Sequence, residues 1–364
     1  MDKATYLQFN GNDFTNFISF VKSMGSREKA KGSRSALIYP EGDKLICRAI
    51  DETIAIEYSV EKYSVENEIT EPIAASVTDL AALIKSADGD KFTIRKMYNQ
   101  YEFCIIGGGW MPFKTSDVDV NKYNIDGVVT DVGTINSVKL RNAISSVLGY
   151  TQDYTYARDK YIQFSKSQMV VTSRLSKVIT SDEFVEMTLH RDDATMLKSL
   201  LKDSFDLSVT KVTGAISRLL FTGPKFKFAV IESGIDTSNA NYINDLNNYV
   251  TVDCDDLYKL AMISEDYSAS KHVIGMSIKD AKLNISIKNI LAGKHVSTVT
   301  SRAVGNVEDT KKEAEVPSHN LLKTLKLFQD KHSREINIYI SDATKDNIII
   351  FDSNTQAIIN ISNR

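Results

Sequence analysis

Cysteine is scarce in this chain of 364 residues, and its three cysteines, Cys47, Cys104 and Cys254, lie far apart. An odd number of widely spaced cysteines argues against a disulfide framework and against a zinc cluster. The five histidines show no paired metal spacing either. We therefore expect reduced cysteines in the protein core, no metal site and no cofactor.

Long apolar runs and an excess of positive charge are also missing. No stretch approaches the roughly 20 residues that a membrane-spanning helix needs. The first residues, MDKATYLQFNGNDF, lack the basic and apolar regions of a signal peptide, so we expect a cytoplasmic protein with no membrane partner. The net charge is −3, which excludes nucleic-acid binding by overall attraction but leaves room for a local basic lining.

Catalytic motifs are absent as well. The segment IIGGGW has three glycines, but neither a Lys-Ser/Thr pair nor a dinucleotide-binding helix follows it, so we interpret it as a turn that ends a strand. The acidic segments DVDV and DCDD precede helices or end strands, where Asp is favoured for structural reasons. We therefore expect a protein that is not an enzyme.

One short helical pattern, in contrast, recurs six times. In NSVKLRNAISSVLGYT the residues Leu140, Ile144 and Val147 recur at helical spacing, and Asn136 or Ser137 is placed to cap the start. Similar starts fall near Asn12, Ser76, Ser137, Asp192, Asp255 and Ser318, at intervals of 55 to 64 residues. The text between them alternates as β-strands do, with turn signals such as EGDK, ADGD and DSNT. This pattern predicts an α+β fold built from repeated helix-plus-strands units.

Every copy of the repeated helix carries basic residues on its polar face or at its ends. These residues are Lys22, Arg27, Lys85, Lys139, Arg141, Lys198, Lys202, Lys259, Lys323 and Lys326. Lysine is a common residue of solvated helix faces, so each one alone has a structural explanation. Their presence on all six copies of an acidic chain favours a shared positive surface.

With these features the sequence resembles the DNA polymerase sliding clamps, and most closely the three-domain bacterial beta clamps. INSVKLRNAISSVLGYTQDY is similar to the start of the family's middle domain, and YVTVDCDDLYKLAMISED to the start of its third. The resemblance implies an α+β fold of three repeated clamp domains, at 1–130, 131–247 and 248–364. Each domain would hold two helix-plus-antiparallel-strands units, and the chain would form a ring.

The resemblance also implies a function and partners, and it assigns the ten basic helix residues named above to contacts with DNA. A homodimeric ring would encircle and slide on double-stranded DNA without reading its sequence, and would tether a replicative DNA polymerase after placement by a clamp loader. The partner-peptide pocket would be formed by Thr172, Arg174, Leu175, Ile359 and Ile361. The dimer interface would join Met111 and Phe113 to Met262 and Ile263. Core positions are the alternative for the apolar members of both sets.

Two segments depart from the family pattern. VVTSRLS matches the family's Ala-Thr-Asp-x-His-Arg-Leu segment only at Thr172, Arg174 and Leu175, and FTGPKFKFAVIE stands where the family has Phe-Pro-Asp-Tyr. These departures fit a diverged, phage-encoded member. Two alternatives stay open: a structural virion protein made of β-repeats without a DNA-sliding role, and a clamp of the two-domain eukaryotic type, against which six repeat units argue.

Overall fold

The computed structural model describes residues 4–24, 35–87, 89–117, 119–125, 127–151, 160–172, 176–233, 243, 246–267, 273–280, 282–289, 293–305, 314–340 and 347–360. The α-helices of these ranges are α1 (Gly11–Met24), α2 (Val77–Lys85), α3 (Ser137–Val147), α4 (Arg191–Leu200), α5 (Cys254–Tyr267) and α6 (Ser318–Asp330). All six begin within one residue of the predicted starts. The α+β class is therefore confirmed.

The strands outnumber the helices. The first fourteen are β1 (Thr5–Asn10), β2 (Ser35–Glu41), β3 (Lys44–Ile50), β4 (Ile54–Tyr63), β5 (Ile73–Ser76), β6 (Lys91–Met97), β7 (Gln100–Cys104), β8 (Trp110–Phe113), β9 (Thr115–Ser116), β10 (Val128–Asn136), β11 (Tyr161–Phe164), β12 (Met169–Thr172), β13 (Ser176–Thr180) and β14 (Met187–His190). The others are β15 (Asp206–Thr213), β16 (Arg218–Thr222), β17 (Phe226–Ile231), β18 (Tyr249–Asp253), β19 (Val273–Lys279), β20 (Lys282–Asn289), β21 (Gly293–Val299), β22 (Ser301–Val304), β23 (Ala314–Pro317), β24 (Glu335–Ile340), β25 (Asn347–Phe351) and β26 (Thr355–Asn360). The ladders between them are antiparallel.

The repeated unit is a strand that runs directly into a helix. β1, β5, β10, β14, β18 and β23 each end at the residue before a helix begins. A polar side chain at this junction often caps the helix: Asn10 accepts from the Asp13 amide, Ser76 from the Asp79 amide, and Asp253 from two amides of α5. The α3 cap is Asn136, which accepts from the Val138 amide. These caps satisfy amides that lack partners within the helix.

The chain divides into two compact units. The first consists of Met1–Val138 and Thr195–Glu232, and its sheet runs β10-β15-β16-β17-β4-β1-β6-β7-β8, with β2, β3, β5 and β9 attached. The second consists of Lys139–Ala194 and Ser233–Arg364, and contains the sheets β14-β11-β12-β13-β26-β25-β24-β18-β22 and β21-β20-β19-β23. The middle domain expected at 131–247 contributes to both units, through the β17–β4 and β13–β26 ladders. The division into three domains stays a prediction.

The helices pack their apolar faces on these sheets. In α1 the residues Phe14, Phe17, Ile18 and Val21 are buried, and α1 also packs against α2. In the second unit α5 packs against α6, whose Leu321, Leu325 and Phe328 are fully buried. The polar face of each helix is thereby left on the side away from its sheet.

The three turn predictions have different outcomes. EGDK closes the β2–β3 hairpin with Gly42 at φ 59°, and DSNT closes the β25–β26 hairpin, where the Asp352 carboxylate accepts from the amides of Asn354 and Thr355. ADGD is different, because it links α2 to β6 rather than two strands. No helix among the described residues is both long enough and apolar enough to span a membrane.

Candidate nucleic-acid and partner surfaces

The predicted DNA-binding residues lie on the helices or at their ends. Lys22, Lys85, Arg141, Lys202, Lys259 and Lys326 are exposed, and Lys139, Lys198 and Lys323 are half-buried. Arg27 lies outside the described residues. Lys22, Lys85 and Lys198 occupy the last turns of their helices, where the negative end of the helix dipole also favours a cation.

Several of these cations have carboxylate neighbours. The Lys139 ammonium lies 3.3 Å from Asp182 and donates to the main-chain oxygen of Glu183 at 2.7 Å. Lys259 lies 3.5 Å from Asp256, and Lys326 lies 3.0 Å from Asp330, which raises the pKa of Lys326. Exposed ion pairs such as these are weak, so a phosphate can compete with the carboxylate for the cation.

A further cation, Lys225, was missed from sequence because it lies in a turn and not on a helix. Its ammonium contacts both carboxylate oxygens of Asp13, at 2.9 and 3.0 Å. It lines a groove of about 550 Å³ with α1 residues such as Asn16 and Ser19 and with Lys202 beyond the end of α4. This groove belongs to the first unit.

The predicted interface residues differ in exposure. Met111 is 41% exposed on β8, and Met262 and Ile263 are 46% and 47% exposed on α5. Phe113 is buried, with its ring 6.2 Å from that of Tyr101. β8 is the last strand in its sheet order, so Pro112, which cannot donate to a ladder, lies on an edge strand.

The predicted partner pocket is only partly described. Thr172 is buried at the end of β12, whereas Arg174, Leu175 and Ile361 lie outside the described residues. Ile359 is fully buried. Successive strand residues point to opposite faces, so Ile358 faces the other side of the sheet, where it packs against Val170 and Ile179.

Ile243 lies near the sheet face that carries Ile358, which we call the outer face. Its amide donates to Oε1 of Gln356 at 3.0 Å, and its carbonyl accepts from Nε2 of the same side chain at 2.6 Å. Gln356 is buried, whereas the Ile243 residue remains 40% exposed. The side chains of Ile358 and Ile243 are therefore partly exposed apolar groups at this surface. The two hydrogen bonds to Gln356 hold the main chain of Ile243 in place. The assignment of Ile359 to a pocket stays a prediction, and the half-buried Ile358 is a further candidate.

The remaining candidates for catalysis or metal binding are the cysteines, the glycine-rich segment and groups of metal-binding side chains. Cys47 and Cys254 are buried as expected, and Cys104 is half-buried. Burial raises the pKa of the Cys47 thiol and raises that of Cys254 to about 12, so neither is a thiolate near neutral pH. The IIGGGW segment ends β7 in a single turn, with Gly107 and Gly108 at φ 79° and 76°. Within the described residues no group of three or more His, Cys, Asp and Glu side chains could hold a metal ion.

Solved structures resemble this architecture along its whole length. A putative DNA polymerase III beta subunit from Eubacterium rectale matches with a TM-score of 0.77 at 13% identity, covering 99% of this chain and 100% of that one. The DNA polymerase sliding clamp from Bacillus subtilis matches with a TM-score of 0.77 at 14% identity, covering 100% of both chains. This chain has the sliding-clamp fold. The DNA polymerase III subunit beta from Pseudomonas aeruginosa matches equally well, at 0.77 and 14%. No protein-family model matches the sequence, and no curated protein matches it significantly.

Proposed function

We propose that this chain is a DNA polymerase processivity factor: a homodimeric ring of three clamp domains per protomer that encircles duplex DNA and tethers a polymerase. The observation that carries the proposal is the likeness to beta subunits along the full length of the chain. The repeated strand-helix units extend from β1 to β26. Its role is binding rather than catalysis, and it acts in the cytoplasm. A clamp loader places the ring on DNA.

The helices face the DNA. The duplex is held by topology, so a net charge of −3 is no obstacle, because tight phosphate contacts would steepen the salt dependence and slow sliding. Lys22, Lys85, Arg141 and Lys202 are exposed on helices or at their ends. They contact phosphates and none reads bases.

The ring closes through α5 and the edge strand β8. The paired exposure of Met262 and Ile263 on one helix, and of Met111 on an edge strand, supports this assignment because large apolar residues gathered at a surface often mark interfaces. A head-to-tail contact between unlike surfaces closes into a ring only if its rotation allows it, and forms a filament otherwise. Phe113 supports the strand from inside the core.

The polymerase tail docks on the outer face that carries Ile358, Thr172 and Ile243, with Arg174 and Leu175 as further members of the site. Full burial of an apolar side chain contributes about 1.5–3 kcal/mol. Two or three such side chains are enough for micromolar affinity after the ordering costs of a peptide are subtracted.

The experiment that tests this function compares residence times on duplex DNA whose two ends are free or blocked by bound streptavidin. A sliding ring leaves through free ends, so blocking both ends should lengthen its residence by more than tenfold at moderate salt. A protein that binds the duplex from the side dissociates at the same rate in both cases, and that result would refute the proposal.

A further inference from the structure

β10 lies at an open edge of its sheet, unlike the corresponding strands of the other repeats. The strands that begin the three expected domains are β1, β10 and β18. β1 pairs with β4 and β6, and β18 pairs with β22 and β24. Among the described residues β10 pairs with β15 alone. The other side of β10 therefore presents main-chain amides and carbonyls to which a further strand can bind.

The exposed part of β10 is its first stretch, Val128–Asp131. All four residues are exposed, with Val128 at 72% and Val129 at 62%. A β-bulge follows directly after Asp131 in the ladder with β15. Because a bulge bends its strand, it confines regular pairing on the open side to these four residues. Ile216, which is 48% exposed in the loop after β15, adds a third apolar side chain at this end of the sheet.

The other strands at the ends of the described sheet orders carry features that limit pairing with another chain. β8 and β23 contain Pro112 and Pro317. β22 contains Arg302, and β21 contains Lys294. β9 and β14 have only two and four residues. Proline, positive charge and short length are common protections of an edge strand. β10 has nine residues, and Val128–Asp131 contains neither a proline nor a cation.

The charge of this edge favours a basic partner. Asp131 is exposed, and within the part of the chain that the structure describes it has no ion pair. Its direct neighbour on β15 is the uncharged Thr210. Opposite charges on paired strands stabilise the pair, whereas like charges directly opposite each other destabilise it. Two copies of β10 paired about Asp131 would bring two carboxylates together, so a strand of another protein with a basic residue is the better occupant.

The side chains of the edge also set the pattern of the added strand. Because successive side chains alternate between faces, Val129 shares a face with Asp131 and Val128 lies on the other. An antiparallel strand then has, from its N-terminus, a basic residue opposite Asp131, any residue opposite Thr130, and apolar residues opposite the two valines. The core Lys-Thr-Val-Val fits this pattern.

We propose that Val128–Asp131 binds an extended segment of a partner protein, which adds one antiparallel strand to the sheet and carries a basic residue opposite Asp131. In strand addition of this kind, main-chain hydrogen bonds supply affinity and alternate side chains supply specificity. The inference goes beyond the proposed function, because it requires neither a ring nor DNA.

The test uses the full chain and fluorescent peptides, with binding followed by anisotropy. One peptide has the core Lys-Thr-Val-Val, and the other has Glu in place of Lys. The wild type should bind the Lys peptide about three- to tenfold more tightly than the Glu peptide. Asp131→Lys should reverse this order. Glu61→Lys makes the same change of charge at an exposed position of β4 in the same unit, and it should leave the order unchanged.

Methylation of the peptide backbone tests whether a strand is added. Only alternate amides of an antiparallel strand point towards its neighbour. Two versions of the Lys peptide, N-methylated at alternate residues, should therefore differ: one should lose binding and the other should keep it. Equal effects of the two methylation patterns would show that side chains alone hold the peptide, and would overturn the proposal.

Two other results would also overturn it. One is a wild type that binds neither peptide. The other is self-association beyond the proposed dimer, detected by light scattering and removed by Val129→Lys, because a second copy of the chain would then occupy the edge. If Asp131→Lys does not fold, Asp131→Asn replaces it and should remove the preference for Lys over Glu. An undiminished preference in that variant would place the peptide elsewhere.

Discussion

Glu57 on β4 contacts both neighbouring strands, β3 and β17, and replacing it should destabilise the first unit. Its Oε2 accepts from Nε of Arg48 at 2.7 Å, and its Oε1 lies 2.8 Å from the Lys227 ammonium. Arg48 and Lys227 are its direct cross-strand neighbours on β3 and β17. The carboxylate is 17% exposed, so it is screened less than a surface ion pair.

The expected magnitude follows from these two contacts. A hydrogen bond to a charged group contributes about 1.5–3 kcal/mol, but the Lys227 side chain is half-exposed, which reduces its share to about 0.2–1 kcal/mol. Glu57→Gln keeps an acceptor oxygen and loses the charge. We therefore expect it to lower the free energy of unfolding by about 1–2 kcal/mol at pH 7, and the Tm by about 2–8 °C for a unit of this size.

The pH dependence gives a second, independent check. Burial alone would raise the pKa of Glu57, but its contacts with Lys227 and Arg48 outweigh burial and lower it. A lowered folded-state pKa contributes stability that is present above the unfolded pKa of about 4.3 and is lost as the pH falls through the folded value. The difference between wild type and Glu57→Gln should thus be complete at pH 7 and shrink below about pH 4.

Thermal and urea unfolding of Glu57→Gln should be compared with Glu61→Gln, an exposed carboxylate of the same strand. The control should change the unfolding free energy by less than about 0.5 kcal/mol. Equal stabilities of the two variants at pH 7, or a Glu57→Gln deficit that grows on acidification, would refute the role assigned to this carboxylate.

Four further predictions concern the surfaces and one helix end. Ile263→Asp should convert a dimer to a folded monomer by light scattering, and an unchanged dimer mass would reject the interface. Reversing the charge of Lys198 and Lys202 together should reduce retention on circular DNA at least several-fold without altering the Tm, and unaltered retention would remove them from the DNA surface. Ile358→Asp should abolish binding of the cognate polymerase's terminal peptide while the dimer persists, and intact peptide binding would place the pocket elsewhere. His332→Gly should raise the unfolding free energy by up to about 1 kcal/mol, because His332 has a φ of 59° at the end of α6, and a lower Tm would show that its side chain has a stabilising contact.

The helices could be located from sequence because each one carries its own signals. A strand, a capping side chain and an amphipathic run follow one another locally, as in Asn136 before α3 and Ser76 before α2. Local signals of this kind do not depend on the rest of the fold. They located the starts of all six described helices to within one residue.

Pairings between distant segments could not be predicted in the same way. The β4–β17 and β13–β26 ladders join residues far apart in sequence. The sequence of each strand carries no signal that identifies the strand with which it pairs. Ile358 and Ile359 face opposite sides of β26, but both are apolar, so the sequence alone does not tell which side is the core. Lys225 was missed because it lies in a turn, where no periodicity marks it.

Encirclement of DNA can be tested by retention on a nicked circular duplex, followed by gel filtration before and after a single cut of the same molecule. A ring that encircles DNA stays with the closed circle and is released once the cut creates ends, so we expect co-elution before the cut and free protein after it. Equal co-elution with the circular and the linear molecule would contradict encirclement, because it would show that the protein is held by direct contacts and not by topology.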